Sequence, residues 1–161
     1  MMRYRLMLIS LIFTITSSFH VRSQTETMKE VAYKTIAQGT DSPIADLQIV
    51  CFNKFFNKDY LPTEFNKKYN LDDKTLFKKK MLIEIFHSDK EKQGLDKIEL
   101  IGIKENDEKL IIEYNVVNSD TENDSERLSP FLIVQVPKSK KELRFIVDGI
   151  ELEKATDLYV D

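Results

Sequence analysis

The chain carries 24 basic and 27 acidic side chains over 161 residues, a formal charge of −3 at pH 7. That balance argues against nucleic acid as a partner, because phosphate recognition needs a basic surface. The one cysteine, Cys51, cannot make an internal disulfide, so stability must come from packing.

The first predicted element is a leader. Met1-Met2-Arg3-Tyr4-Arg5 supplies a positive start and Leu6 to Ile15 an uncharged, mostly apolar run. Thr16-Ser17-Ser18 follows, and Val21-Arg22-Ser23 places small and modestly apolar residues where a cleavage site after Ser23 requires them. A spanning helix wants about 20 apolar residues, more than this run offers, and the one cysteine, Cys51, lies too far downstream of it to carry a lipid. Residues 1–23 are therefore predicted to be a signal peptide. Residues 24–161 form the expected single globular domain, secreted or periplasmic, with no stable membrane span after signal removal. Cleavage takes Arg3, Arg5 and Arg22 and no acid, moving the formal charge from −3 to −6, and it removes His20.

Within the domain, Val31 to Ala37 reads as a strand stopped by the turn residues Gly39 to Pro43. Leu47 to Phe52 reads as a second, short and β-branched strand. From Asn53 the spacing becomes helical. Asn53 can cap, Phe55, Phe56, Tyr60 and Leu61 are expected on one face, and Pro62 ends that helix and opens another carrying Phe65 and Tyr69. This aromatic stripe is read as core packing in preference to a ligand cage.

Phe77 to Phe86 is the next expected strand, with Lys78-Lys79-Lys80 at its start as edge-protecting charges in preference to a docking patch. Asp96 to Lys104 and Lys109 to Val117 make the clearest hairpin, turning at Glu105 to Glu108, and the phase change beside Gly102 predicts a β-bulge. Leu128 to Val136 is a further strand ending at Pro137. Leu143 to Val147 and Ile150 to Leu152 flank Asp148-Gly149, a two-residue hairpin signal, so the chain is expected to close on a meander.

The residues offer no catalytic, cofactor-binding or metal constellation. Cys51 lies in an apolar run and reads as a small buried hydrophobe. After leader removal His87 is the one histidine, too few ligands for zinc. His87-Ser88-Asp89 has the residue types of a hydrolytic triad, but strand neighbours point to opposite faces, so the trio is read as coincidence. No carboxylate stands in a setting that would shift its pKa. Asn118 to Arg127 carries four acids and no apolar residue. It reads as a solvated loop, lacking the spacing and glycine of an EF-hand, and it contains the sequon Asn123-Asp124-Ser125.

One stretch is more specific. Leu128-Ser129-Pro130-Phe131-Leu132-Ile133-Val134-Gln135-Val136-Pro137-Lys138, followed by Leu143-Arg144-Phe145, resembles the C-terminal domain of the PrcB family, named after a subunit of a secreted protease complex. Thr75 to Ile83 and Tyr33 to Ser42 resemble two further segments of that family, in the expected order. The chain departs from the pattern at Leu76, where the family has aspartate, at Ser42-Pro43 in place of Ser-Gly, and at Gly94-Leu95 in place of Gly-Gly-Tyr. The resemblance implies a secreted, non-catalytic protein that associates with or stabilises an exported protease.

The expected fold is α+β, a single domain with a mostly antiparallel sheet of seven or eight strands and one helical segment near residues 53–70. An all-β sandwich is the alternative. The expected function is a secreted non-catalytic binding or accessory protein with an exported protease as partner and no cofactor. A calcium- or small-molecule-binding extracytoplasmic module is the alternative.

Overall fold

Two kinds of apolar pattern divide the strands. Lys109–Val117 alternates buried and half-buried residues, whereas Lys80–Phe86 and Phe131–Pro137 are apolar almost without interruption. Alternation marks a strand covered on one face, and an unbroken run marks one covered on both. The computed structural model, which describes residues 27–88, 93–120, 122, 125–152 and 159–160, shows what supplies the second cover.

In chain order the elements are β1 (Lys29–Glu30), β2 (Lys34–Gly39), β3 (Leu47–Cys51), helix α1 (Phe55–Tyr60), helix α2 (Thr63–Tyr69) and a 3-10 turn (Lys74–Phe77). Then come β4 (Lys80–Phe86), β5 (Lys97–Glu105), β6 (Lys109–Val117), β7 (Phe131–Pro137), β8 (Glu142–Val147), β9 (Ile150–Glu151) and β10 (Tyr159–Val160). They form two five-stranded sheets, ordered β1-β5-β6-β8-β9 and β10-β3-β4-β7-β2. The inner faces of the two sheets meet in one core. Met81, Ile83 and Ile85 of β4 and Val134 and Val136 of β7 pack there with Ile103, Leu110, Ile112, Tyr114 and Phe145. On the other face of the second sheet, Cys51, Leu82, Phe86, Phe131 and Ile133 pack under Phe56, Leu61, Phe65, Leu71 and Phe77 of the helical segment. The fold is a three-layer α+β domain, mostly antiparallel, with helices on one outer face.

The expected single sheet of seven or eight strands is thus two sheets, and the described residues form ten strands, three of them two residues long. Such short pieces leave no periodic signal. The sandwich alternative captures the stacking of the sheets but not the helical layer.

Several local expectations hold. The β5–β6 hairpin slips register between Leu100 and Gly102, so Ile101 is the extra bulge residue and points out, 53% exposed. Asn106 in its turn accepts from the N–H groups of Glu108 and Lys109 at 2.9 and 2.6 Å. Asp148 and Gly149 both take positive φ, 51° and 79°, as a primed hairpin turn requires.

Others are corrected. The strand expected over Val31 to Ala37 is split: Lys29–Glu30 pairs with β5 and Lys34–Gly39 with β7, so residues 31–33 carry the chain from one sheet to the other. Phe77 closes a 3-10 turn whose start is capped by the Asp73 carboxylate on the Thr75 N–H at 2.8 Å. Lys79 has φ 56°, and only Lys80 of the lysine run enters β4. The closing meander is replaced by a crossover, because β7 lies in the opposite sheet and β8 pairs with β6 in parallel. In the helical segment Asn53 does receive the Phe55 N–H, at 2.8 Å, and Pro62 separates α1 from α2. Yet Phe55 and Tyr60 turn outward, 54% and 70% exposed, while Asn57 takes an inner position.

Candidate functional site

Glu84 stands between Ile83 and Ile85 in the apolar strand β4. In the fold, Glu84 lies opposite Ile49 of β3 and Ile133 of β7, on the face covered by the helical layer. It is fully buried, and neither carboxyl oxygen has a hydrogen-bond partner among the described residues. Burial pushes its pKa up to about 7. The nearby Asn57 amide and Cys51 thiol pull the other way without closing a hydrogen bond of ordinary geometry. The same enclosure, with Glu84 beside it, pushes the Cys51 thiol up, so Cys51 is the inert buried hydrophobe expected.

Two buried amides brace the helical segment over this face. Asn57 Nδ2 donates to the Leu71 carbonyl at 3.2 Å. Asn66 Nδ2 donates to the Leu61 carbonyl at 3.3 Å and to the carbonyl of Asn57. The Oδ1 atoms of both asparagines lack a partner among the described residues. Cys51, Glu84, Asn57 and Asn66 therefore make a sealed polar seam between sheet and helices. The expectation that no carboxylate is perturbed is overturned at Glu84. Its signal in the sequence was an acid interrupting an otherwise apolar six-residue run, Met81 to Phe86.

The local trio is also rearranged. His87 Nδ1 lies 3.1 Å from the carboxylate of Asp46, which also accepts the Ser88 N–H at 2.7 Å. Asp89 lies outside the described residues. The Ser88 hydroxyl meets that of Ser129 at 3.4 Å, across the end of β7. These contacts tie the loop before β3 to the end of β4.

In the acidic loop the oxygens brace the chain. Asp96 accepts from the N–H and hydroxyl of Ser119 at 2.7 and 2.8 Å, Asn118 from the Asp120 N–H at 3.1 Å, and Asp120 from the Glu122 N–H at 3.0 Å. Among the described residues no three His, Cys, Asp or Glu side chains gather as metal ligands. Asn123 and Asp124 of the sequon, and the whole expected leader, lie outside the described residues. No helix among the described residues is long and apolar enough to cross a membrane.

The outer surface of the helical layer is of opposite character to the acidic chain. Residues 53–80 hold eight lysines and four acids. Lys67 pairs with Glu64 at 3.4 Å, and Lys68 with Asp41 at 2.9 Å, which holds the Asp41 carboxyl below its usual range. Lys54, Lys58, Lys74, Lys78, Lys79 and Lys80 form no ion pair with a described residue. Between α1 and the 3-10 turn, Asn53, Lys54, Phe55, Lys74 and Phe77 line a shallow recess of about 260 Å³. The edge strand β2, by contrast, is guarded against pairing by a register irregularity at Thr35 to Ala37, by exposed Lys34, and by Gln38, whose amide reaches the Ile98 carbonyl of β5 at 3.3 Å.

Compared with family models, curated proteins and solved structures, the chain matches none.

Proposed function

We propose that the chain is an exported, non-catalytic binding or accessory protein that associates with or stabilises an exported protease. The observation that carries this reading is the distribution of its reactive groups. The perturbed carboxyl of Glu84 and the thiol of Cys51 are sealed at 0% exposure, while the rings of Phe55 and Tyr60 and lysines with no ion pair to a described residue stand on the outer side of the helical layer. A surface of that kind supplies contacts. The segments that resemble the PrcB family give further support, because Tyr33 to Ser42, Thr75 to Ile83 and Ser129 to Lys138 assemble side by side as β2, β4 and β7. Ser42 and Ser129 are joined there by a backbone hydrogen bond of 2.9 Å.

The test is affinity capture with folded residues 24–161 from the envelope and culture fluid of the native host. Recovery of an exported protease whose lifetime or activity rises with the protein is the expected outcome. A capture that yields no protease from either fraction counts against the reading.

A calcium module centred on Asn118 to Arg127 has weaker support, since Asp96 and Asp120 already serve as acceptors for backbone N–H groups. Millimolar calcium is expected to leave the melting temperature unchanged. A ligand bound only by the folded state would raise it.

A further inference from the structure

We propose that the outer face of α1 and the 3-10 turn docks an acidic polypeptide segment of a partner protein, with one apolar side chain of that segment seated in the recess between Phe55 and Phe77. The proposal rests on the accessory-protein reading and names its contact surface.

Charge selects the class of partner. The domain as a whole is acidic, so an acidic segment approaching most of its surface is repelled; the 53–80 region carries an excess of cations, and in the other basic stretch, Lys138 to Arg144, Lys141 and Arg144 already pair with Glu105, Glu142 and Glu151. Lys54 and Lys74 sit on the recess itself, and Lys58 and Lys78 lie close in sequence to its lining residues with no described ion pair to displace. Their charges can therefore meet partner carboxylates without first breaking an ion pair to a described residue. Apolar chemistry supplies the anchor. Phe55 is 54% exposed at the recess while Phe77 forms its floor at 8%, so a side chain placed there covers an aromatic ring that the domain leaves half wet.

An anionic membrane could also attract lysines and exposed rings, but two features favour a peptide. The anchoring site is concave, which suits an entering side chain, whereas a bilayer receives protruding ones. Asp59, Glu64 and Asp72, interleaved with the lysines in sequence, are exposed, and an anionic bilayer surface would repel them. A single extended chain can run between them.

The experiment uses fluorescein-labelled peptides and folded residues 24–161. One peptide is a run of Glu and Asp with a central Phe, a second replaces that Phe by Ser, and a third replaces the acids by Lys. The expected result is saturable binding of the first, weakened about tenfold without the Phe and lost with Lys. Raising salt from about 50 to about 500 mM should also weaken it, because surface charges are screened. The double variant Lys54→Glu/Lys74→Glu should lose at least about tenfold in affinity, and Phe55→Ser a similar amount, while Lys104→Glu on β5 binds as the unaltered protein. Phe55 is largely exposed, so Phe55→Ser keeps the test valid if the double variant does not fold.

The proposal is overturned if the Phe peptide fails to bind at about millimolar concentration, or if the variants bind it unchanged. It is equally overturned if phosphatidylglycerol vesicles sediment the protein while the peptide does not bind. Capture of a protease by the intact domain and equally by Lys54→Glu/Lys74→Glu overturns this surface and leaves the accessory reading standing. Capture failing for the unaltered domain, with peptide binding intact, removes the protease reading and supports the surface.

Discussion

Glu84 is an ionisable group in a place that cannot solvate its charge. Its folded pKa, about 7, stands above the ordinary 4.5, so the folded state holds the proton more tightly than the unfolded chain does. The stabilisation is fully present below the unfolded value and is lost as pH rises through about 7. The loss is on the order of 3 kcal/mol. Urea denaturation at pH 5 and pH 8 should therefore show the protein less stable at pH 8. Glu84→Gln should flatten that dependence and be the more stable of the two at pH 8, since its amide can stay neutral and has the unpartnered Asn57 oxygen near it as an acceptor. A Gln variant with an unchanged pH profile would show that another group sets it. A second residue-scale constraint lies at Gly39. A Cβ there would come within 2.8 Å of Phe131 Cε1, and Phe131 is fixed by edge-on contacts with Phe65 and Tyr69 at ring separations of 5.0 and 5.3 Å. Gly39→Ala should cost about 1–3 kcal/mol of unfolding free energy, read from the same denaturation curves.

Among the elements, the helical layer depends on two amides more than on its helices, which are six and seven residues long. Helices so short have little stability alone. Asn66→Ala removes the donors to the buried carbonyls of Asn57 and Leu61, and should destabilise the domain by about 1–3 kcal/mol. Hydrogen exchange should locate the weakening in residues 55–71, with β5 and β6 protected as before. Elements of this size were legible where neighbouring residues encode them. The bulge at Ile101 shows as a phase change, the turn at Asp148-Gly149 as a dipeptide, and the break at Pro62 as a missing N–H. The 3-10 turn at Lys74–Phe77 was not legible, because its last residue, Phe77, looks like the first apolar position of the strand that follows. Asn57 was missed for the same kind of reason. A polar residue on a short helix reads as solvent-facing until the carbonyl it serves, fourteen residues away at Leu71, is in view.

At the scale of the whole molecule, periodicity says that a segment is a strand but not which sheet it joins. That is why β6 and β8 could pass for parts of a meander, although β7 between them belongs to the other layer. The nearly continuous apolar runs of β4 and β7 encode double-sided burial, a signal that the expectation of one sheet left unused. The sealed seam was half legible, in the acid that interrupts one of those runs. The exposed basic face was legible only as lysines scattered along 53–80. Their gathering on one side depends on the helices lying flat on the sheet.

The position of β7 also sets an order of events. It lies between β2 and β4, with Lys34 opposite Gln135 and Lys80 opposite Pro137, so the middle of the second sheet cannot close until the chain has been made to residue 137. Until then β2 has no neighbour, and β4, apolar on both faces, has β3 alone. The β5–β6 hairpin has no such wait, because its arms are adjacent. Folding from denaturant should accordingly show the hairpin protected early and the second sheet late, on the slow, millisecond-to-second side of the range for domains rich in distant pairings. A chain stopped after β6 should expose the apolar face of β4 and aggregate. For such a nascent chain the most dangerous interval is the stretch of synthesis between residues 86 and 137, when a strand built for the interior has been made and its cover has not.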